Sequence, residues 1–409
     1  MGQAVLAATP TPGLEQARMT EVDALVVGAG VAGSTAAIGL AREGLDVVLV
    51  DRARLPRHKV CGCCLNRDAV SILDGLGLGG PLGQTGAQPI ERVAIHSGPR
   101  AIAVQSRGGI AVSRYALDAV LHRAAQEAGC VVQDQANARV RPATNGSAKP
   151  VRVDCSSAGG HQQTVQAKIV LVADGLAGSS MADARHVARE VKQDSLRGYG
   201  AHLAAGRHDL PAGEVLMHCG GGGYVGTVVL EDGSLDIAAA MKPGWVKSCR
   251  GPANAVSEIL NQSRAVLPAL NHLAWKATAP LTGKRRTLWM PRIFFLGDSA
   301  GYVEPFTGEG MAWAMRSAQT LQPIVMRALA GWDDQIGRDW QRTYRSAVRR
   351  RQWRCRLLSH ALRRPGLANS FIRLGGLLPQ PAKQAAARTI LPPMFAAERP
   401  PLARELATT

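Results

Sequence analysis

Residues 24–33 read ALVVGAGVAG, and this stretch decides the fold. The apolar run ALVV is typical of a short strand buried on both faces of a parallel sheet. The three glycines that follow suit a tight turn into a helix. Gly28 permits the turn, Gly30 lets the backbone approach a bound anion, and Gly33 lets the helix pack closely on the sheet. The free N–H groups at the start of that helix would face a pyrophosphate.

A second apolar strand, LDVVLVD at 45–51, ends in an acidic residue. Asp51 stands 18 residues after Gly33, where a carboxylate can accept hydrogen bonds from ribose hydroxyls. Arg52 adjoins it, but an acid at this position disfavours a 2′-phosphate. The strand–turn–helix–strand unit therefore predicts dinucleotide binding, and by itself it does not separate FAD from NAD.

Two distant segments make that separation. The strand IVLVAD ends in Asp174-Gly175, and RIFFL leads into Gly297-Asp298. A carboxylate at a strand end can hydrogen-bond the hydroxyls of a ribityl chain, which an NAD dehydrogenase does not need to bind. Further on, residues 305–311 read PFTGEGM, and their glycines could bring a helix N-terminus against an electron-accepting ring. Together the three segments predict FAD.

These motifs resemble those of the p-hydroxybenzoate hydroxylase-type flavoproteins, and within them the geranylgeranyl reductase-like branch, over residues 20–330. PRHKVCG at 56–62 is similar to the Cys-Gly segment of that branch, and VSR at 112–114 to the family helix whose Arg reaches FAD. The resemblance implies reduction by free NAD(P)H, with Cys61 and Gly62 near the isoalloxazine ring. It implies FAD contacts at Gly28, Gly30, Val31, Ala32, Gly33, Asp51, Arg52, Lys59, Cys61, Gly62, Arg114, Asp174, Gly175, Gly297, Asp298, Gly308, Gly310 and Met311.

The predicted fold class is α/β, with a discontinuous Rossmann-like FAD-binding domain, a β-sheet substrate lid and a helical C-terminal extension. Strand and helix patterns interrupted by a β-rich insertion favour this arrangement. The expected boundaries are 21–75, 105–185 and 286–330 for the FAD-binding domain, 76–104 and 186–285 for the lid, 1–20 for a disordered extension and 331–409 for a basic helical region.

Two reactions follow from this resemblance. The Thr-Gly-Glu-Gly turn and the Cys-Gly segment favour reduction of a double bond in a hydrophobic, isoprenoid or polyketide-like substrate. The lid stretch 223–230 keeps Tyr224 but lacks the Trp and Pro of the reductases, so hydroxylation of an aromatic or polyketide substrate by a flavin monooxygenase is the alternative. Cys61 and Tyr224 are the candidate catalytic residues.

Other classes of function fit the sequence less well. A non-catalytic flavin-binding partner protein and a plain NAD dehydrogenase are rival interpretations. GWVK at 244–247 resembles the halogenase segment only faintly, and Lys247 is expected to be a solvated surface charge. CGCC at 61–64 lacks a second Cys/His pair at zinc-finger spacing, so no metal site is predicted.

The remaining expectations come from charge and composition. With eight scattered cysteines and no secretory pattern, the chain is expected to be cytoplasmic with reduced thiols. The formal charge is +17, and no nucleic-acid recognition module accompanies it. The Arg-rich region from 338 to 364 carries an apolar stripe of Leu357, Leu358, Ala361 and Leu362. This region would bind a membrane surface or an acidic carrier protein, or would pack on the FAD domain.

Overall fold

The computed structural model describes residues 20–142, 149–157, 159–184, 187–304, 306, 308–362, 370 and 373. The predicted disordered extension lies outside the described residues except for Thr20. Pro305, Thr307 and nearly all of the chain after residue 362 also lie outside them.

The described residues form nineteen β-strands and nine α-helices. The strands are β1 (Thr20–Val27), β2 (Val47–Val50), β3 (Cys64–Leu65), β4 (Gln88–Ser97), β5 (Arg100–Ala111), β6 (Val131–Gln133), β7 (Ala136–Arg141), β8 (Val151–Ser157), β9 (Gln162–Val172), β10 (Glu190–Val191), β11 (Arg197–Leu203), β12 (Glu214–Gly220), β13 (Gly223–Val229), β14 (Leu235–Met241), β15 (Lys276–Pro280), β16 (Gly283–Lys284), β17 (Trp289–Met290), β18 (Ile293–Phe295) and β19 (Gly301–Tyr302). The helices are α1 (Val31–Arg42), α2 (Arg67–Gly75), α3 (Gly79–Gly83), α4 (Arg114–Glu127), α5 (Pro243–Ser248), α6 (Pro252–Gln262), α7 (Gly310–Ala330), α8 (Asp334–Tyr344) and α9 (Arg350–Leu362).

The first sheet is the predicted nucleotide-binding sheet. Its main path runs β17-β18-β9-β1-β2-β6, and β18, β9, β1, β2 and β6 pair in parallel. Helix α1 packs against α4 and α7, and the apolar strands are buried among these helices. Burial on both faces explains why the strands read as continuous apolar runs. The Rossmann-like α/β fold is confirmed.

The second large sheet forms the lid. Its order is β15-β11-β14-β13-β12-β4-β5-β3, and it is antiparallel except where β4 pairs with β12. Helix α6 packs on β12 and β13 on one face. The other face lines a cavity that the nucleotide-binding sheet and its helices close from the opposite side.

Two predicted boundaries do not follow the sheets. The boundary at 105 falls inside β5, which is a single strand of the lid sheet, and β3 also joins that sheet from the segment assigned to the FAD domain. In the opposite direction, α3 packs against α4 although 76–104 was assigned to the lid. The sequence marks each strand by its apolar alternation, but that alternation does not reveal which sheet the strand joins.

The C-terminal extension packs on the nucleotide-binding sheet through α8, and in α9 the Gln352 amide and the Cys355 thiol hydrogen-bond the carbonyls of Gly301 and Glu304. Trp340 and Tyr344 are fully buried, and the Trp340 indole N–H donates to the Phe295 carbonyl at 3.1 Å. The opposite face of α9 exposes Trp353 and Leu357, by 61% and 53%. Packing on the FAD domain therefore accounts for the buried face of these helices and not for the apolar side chains that α9 exposes. Of the helices in the described part of the chain, none is long and apolar enough to cross a bilayer.

Candidate flavin site

The glycine turn between β1 and α1 has no room for side chains at two of its positions. Gly28 has φ +101°, and a Cβ there would lie 2.4 Å from the Ala173 carbonyl oxygen. A Cβ on Gly33 would lie 1.9 Å from the Gly28 carbonyl oxygen. Both glycines therefore allow the backbone of the turn, the next strand and the helix to approach closely, as the sequence predicts.

Gly30 differs from its neighbours because it faces open space. Its backbone is extended (φ −82°), and a Cβ there would have only the Arg114 guanidinium and the Lys59 ammonium within reach, each at 4.0 Å. Two cations and the N-terminus of α1 thus converge on the same space. That combination suits a diphosphate, because the helix N–H groups and both side chains attract negative charge.

Asp51 lies at the end of β2 in a network of charged groups. Its carboxylate accepts the Ala29 N–H at 2.9 Å and pairs with Arg57 at 2.8 Å. Arg57 also contacts Asp118 at 3.3 Å, and Asp118 accepts two hydrogen bonds from Arg114, each at 2.9 Å. The network holds the turn, the Cys-Gly segment and α4 together. Sequence reasoning missed Arg57 and Asp118, although the Arg114–Asp118 spacing of i, i+4 was a readable signal.

Asp298 and Lys59 bring opposite charges into the cavity from distant parts of the chain. Burial raises the pKa of Asp298, and the nearby Lys59 and Arg114 charges oppose that rise. Burial lowers the pKa of Lys59, and the adjacent Arg114 adds to the effect. Gly175, at φ +77°, lies beside Lys59, whose ammonium is 3.7 Å from the position of an added Cβ.

The remaining predicted residues shape the site from outside the cavity wall or lie apart from it. Asp174 accepts hydrogen bonds from the Ser180 amide and hydroxyl at 3.1 and 2.6 Å, which close the loop that contains Gly175. A Cβ on Gly297 would lie 2.7 Å from the Ala32 methyl group, so this glycine allows close packing on α1. Arg52 is exposed and is absent from the cavity wall.

The N-terminus of α7 closes the cavity next to the Cys-Gly segment. Gly308, at φ +69°, precedes the helix, and Gly310 and Met311 begin it. The Cys61 thiol lies 3.9 Å from the Met311 sulfur, so the two predicted segments do meet. Pro305 and Thr307 of the same motif lie outside the described residues.

The cavity holds about 230 Å³ between the two sheets. Tyr224 from the lid packs edge to face on Phe306 with 4.9 Å between ring centres, and Tyr302 adds a second phenol to the wall. Sequence reasoning missed Tyr302, four residues beyond Asp298. The predicted residues that line the cavity are Gly30, Val31, Ala32, Lys59, Cys61, Gly62, Arg114, Gly175, Tyr224, Asp298, Gly308, Gly310 and Met311.

The arrangement fits a flavin dinucleotide. The open space over Gly30 matches the diphosphate, Asp298 lies where it can bind hydroxyls, and the start of α7 faces the remaining space beside Cys61. When bound, FAD supplies hydride chemistry that protein side chains cannot perform. Within the described residues, no group of three or more His, Cys, Asp or Glu side chains is placed to hold a metal ion. Lys247 is exposed and outside the cavity wall, as predicted.

The fold and this cavity define a flavin-binding protein of the α/β class. The model of the FAD binding domain family matches residues 21–355, and the chain belongs to that family. Among curated relatives, it is 27% identical over 325 residues to tryptophan 2-halogenase of Chondromyces crocatus, covering 75% of this chain and 61% of the halogenase. The chain thus spans about three fifths of that enzyme's length.

Two further similarities are with reductases. The menaquinone reductase of Mycobacterium tuberculosis is 28% identical over 346 residues, covering 74% of this chain and 76% of the relative. The solved structure of a geranylgeranyl bacteriochlorophyll reductase-like protein of Thermoplasma acidophilum superposes with a TM-score of 0.68 at 17% identity, covering 96% of each chain. At that identity the structure shows the fold alone. Halogenases and reductases thus resemble the chain comparably, and the reductase-like branch is not singled out.

Proposed function

We propose that this protein uses NAD(P)H and bound FAD to reduce a carbon–carbon double bond of a hydrophobic, isoprenoid or polyketide-like substrate. One observation carries the proposal: in the described part of the cavity, the lid wall presents no charged side chain. The charged groups Lys59, Arg114 and Asp298 all lie on the FAD side. The substrate face is therefore suited to a neutral, apolar molecule.

The lid wall is built mainly from apolar and small residues of β4, β12, β13 and β14. Its polar side chains, Tyr224, Thr227 and Thr278, are uncharged. The wall residues include Val93, Ile95, Val215, Met217, Gly226, Ala238 and Ala240. Small residues on β13 and β14 leave room for a flat or extended chain beside the flavin.

Reduction of a double bond also requires a proton, and two phenols border the cavity. Phenolic hydroxyls carry their proton at neutral pH, and burial raises the pKa of Tyr302 further. The Cys61 thiol is not suited to donate this proton, because its pKa is lowered to about 6 and it has largely lost its proton at neutral pH. Burial makes Tyr302 a weaker acid, so we assign proton donation to Tyr224, which stands on the lid beside Phe306.

The proposal is tested by anaerobic incubation of the FAD-loaded protein with NADPH and menaquinone, the substrate named for a relative, followed by mass spectrometry. A product that stays two hydrogens heavier after air has reoxidised any quinol supports reduction of a carbon–carbon double bond. A gain that air reverses reports reduction of the quinone ring and contradicts the proposal. If oxygen is required and the product gains an oxygen atom, the monooxygenase alternative is correct. Bound FAD that NADPH reduces, without any change in menaquinone or in a panel of polyprenyl and polyketide substrates, overturns the proposal.

A matched pair of variants tests the role of the lid wall. Ala238→Asp places a charge in the cavity wall, so KM for the apolar substrate should rise by at least about tenfold while FAD remains bound. Val266→Asp places the same charge on a side chain that is 81% exposed, and it should behave as the unmodified protein. Equal KM values for the two variants would show that substrate does not contact the lid.

The proposal includes a membrane contact, because an apolar substrate of this kind partitions into bilayers. The exposed Trp353 and Leu357 on α9 are flanked by exposed Arg354 and Arg356. Apolar side chains between cations suit the surface of an anionic bilayer. The affinity for phosphatidylglycerol vesicles, measured by cosedimentation, should fall about tenfold in Trp353→Ala, whereas Val266→Ala should bind the vesicles as the unmodified protein does. Equal binding of both variants, or no binding to vesicles, would leave the carrier-protein interpretation.

A further inference from the structure

The inward face of helix α9 carries polar side chains where packing alone would suit apolar ones. Gln352, Cys355 and Ser359 are all buried, and their spacing of three and four residues places them on one side of the helix. A buried polar group destabilises the fold unless it is hydrogen-bonded. All three side chains find their hydrogen-bond partners in one short segment of the chain.

That segment is residues 301–304, which lead from Asp298 toward the start of α7. The Gln352 amide donates to the Gly301 carbonyl at 3.3 Å, and the Cys355 thiol donates to the Glu304 carbonyl at 3.6 Å. The Ser359 hydroxyl donates to the Glu304 carboxyl group, whose residue is 3% exposed. Helix α9 therefore holds both the backbone of the segment and its acidic side chain.

An ion pair anchors α9 near its N-terminal end. Arg351 contacts Asp68 in the first turn of α2, and Asp68 also pairs with Arg316 of α7 at 3.3 Å. Helix α2 follows the Cys-Gly segment, and α7 begins at the glycines that close the cavity. The helix is thus fixed against the two elements that adjoin this part of the cavity.

Glu304 is connected to the cavity wall through its neighbours in the chain. Tyr302 lines the cavity, and Phe306 donates its backbone N–H to the Glu304 carbonyl at 3.1 Å. The Phe306 ring packs edge to face on Tyr224, with 4.9 Å between ring centres and 79° between ring planes. Movement of Glu304 would therefore displace the surface on which Tyr224 rests. A displacement of ~1 Å at a reacting group can cost on the order of 10²-fold in rate.

We propose that Glu304 and Ser359 are positioning residues, which act through Phe306 to hold Tyr224 at the place from which it donates its proton. The role of Tyr224 rests on the proposed function, whereas the contacts that join α9 to Tyr224 do not depend on the substrate. Neither Glu304 nor Ser359 is among the described residues that line the cavity, so both act through the side chains that they hold. Helix α9 would thus form part of the site.

The first test is fluorine NMR of the apoprotein labelled with 3-fluorotyrosine, because it reports on Tyr224 without FAD or substrate. The chain has five tyrosines, and Tyr224→Phe identifies the resonance of interest. Glu304→Ala and Ser359→Ala should each shift this resonance. Glu304→Gln keeps an oxygen that accepts the Ser359 hydroxyl, so it should leave the resonance in place. Ser346→Ala, which removes the hydroxyl of an exposed serine, should also leave it in place.

The second test measures the two half-reactions of the FAD-loaded protein by anaerobic stopped-flow absorption. NADPH should reduce the flavin equally fast in Ser359→Ala and in the unmodified protein, because Tyr224 takes no part in that step. Reoxidation by the substrate should slow roughly ten- to hundredfold in the variant. Added to Tyr224→Phe, the same substitution should cause no further loss, since both changes remove one contribution.

The outcomes separate the positioning role from the proposed function. An unchanged Tyr224 resonance in both alanine variants overturns the positioning role, and so does substrate reoxidation at the unmodified rate in Ser359→Ala. If Glu304→Ala does not fold, Ser359→Ala, which removes a single oxygen atom, decides. A shifted resonance in a protein that reduces no substrate supports the contacts from α9 to Tyr224 and refutes the proposed function.

Discussion

Substitution of Gly30 by alanine should abolish tight FAD binding while the protein remains folded. The residue has extended φ, which alanine adopts without strain, and an added methyl group would meet no atom closer than 4.0 Å. Replacing an N-cap glycine by alanine should therefore cost the apoprotein about 1 kcal/mol. The methyl group would occupy the space over the N-terminus of α1 that the diphosphate needs.

The expected loss of affinity follows from the contacts that the methyl group prevents. Loss of two backbone N–H bonds to a charged phosphate, each of about 1.5 kcal/mol, gives about 3 kcal/mol, or roughly a hundredfold weaker binding. Calorimetry of the two apoproteins would measure the stability, and quenching of FAD fluorescence would measure the affinity. An alanine variant that binds FAD as tightly as the unmodified protein would refute the placement of the diphosphate over Gly30.

Three further predictions concern packing and ionisation. Gly33→Ala should destabilise the apoprotein by about 1 to 3 kcal/mol, because the added methyl group would overlap the backbone of the turn. Gly75→Ala, at an open helical position, should instead stabilise the apoprotein by about 0.5 to 1 kcal/mol. Equal melting temperatures for the two variants would contradict this prediction. Trp340→Ala should cost about 3 to 5 kcal/mol in chemical denaturation, since a buried ring is lost, and an unchanged midpoint would show that α8 is not part of the core. The rate at which iodoacetamide alkylates Cys61, followed by peptide mass spectrometry, should rise as the pH increases through about 6, because the lowered pKa leaves the thiol protonated only below that pH. A rate that rises only above pH ~8, as for an ordinary thiol, would contradict the assignment of Cys61 as a thiolate.

The sequence predicts the nucleotide-binding sheet well because strands buried on both faces read as continuous apolar runs and the glycine turn has a fixed spacing. At Gly28 and Gly33 a side chain would block close backbone contacts. Cys61 and Met311 are 250 residues apart, and only the family resemblance assigned both of them to the FAD site. It was harder to predict which strands belong to the lid sheet, because β3 and β5 join a sheet whose other strands come mainly from residues 197–280.

The polar network around the cavity was the least predictable part of the site. Asp236 and His202 are ordinary strand residues in the sequence, and they meet only because β11 and β14 pair with these two residues in register. Arg57 was quoted as part of a motif, yet its pairing with Asp51 and Asp118 depends on how the Cys-Gly segment folds over α4. Contacts of this kind follow from strand register and loop path, which local sequence patterns do not specify.

The most direct test of the central claim is the stoichiometry of FAD binding to the purified protein, measured by absorption after the apoprotein is titrated with FAD. We predict one FAD per chain with a saturable flavin spectrum, and we predict that NADPH bleaches this spectrum under anaerobic conditions. A chain that calorimetry shows to be folded, but that retains no flavin absorption once unbound FAD is removed, would contradict the assignment of the cavity to a flavin.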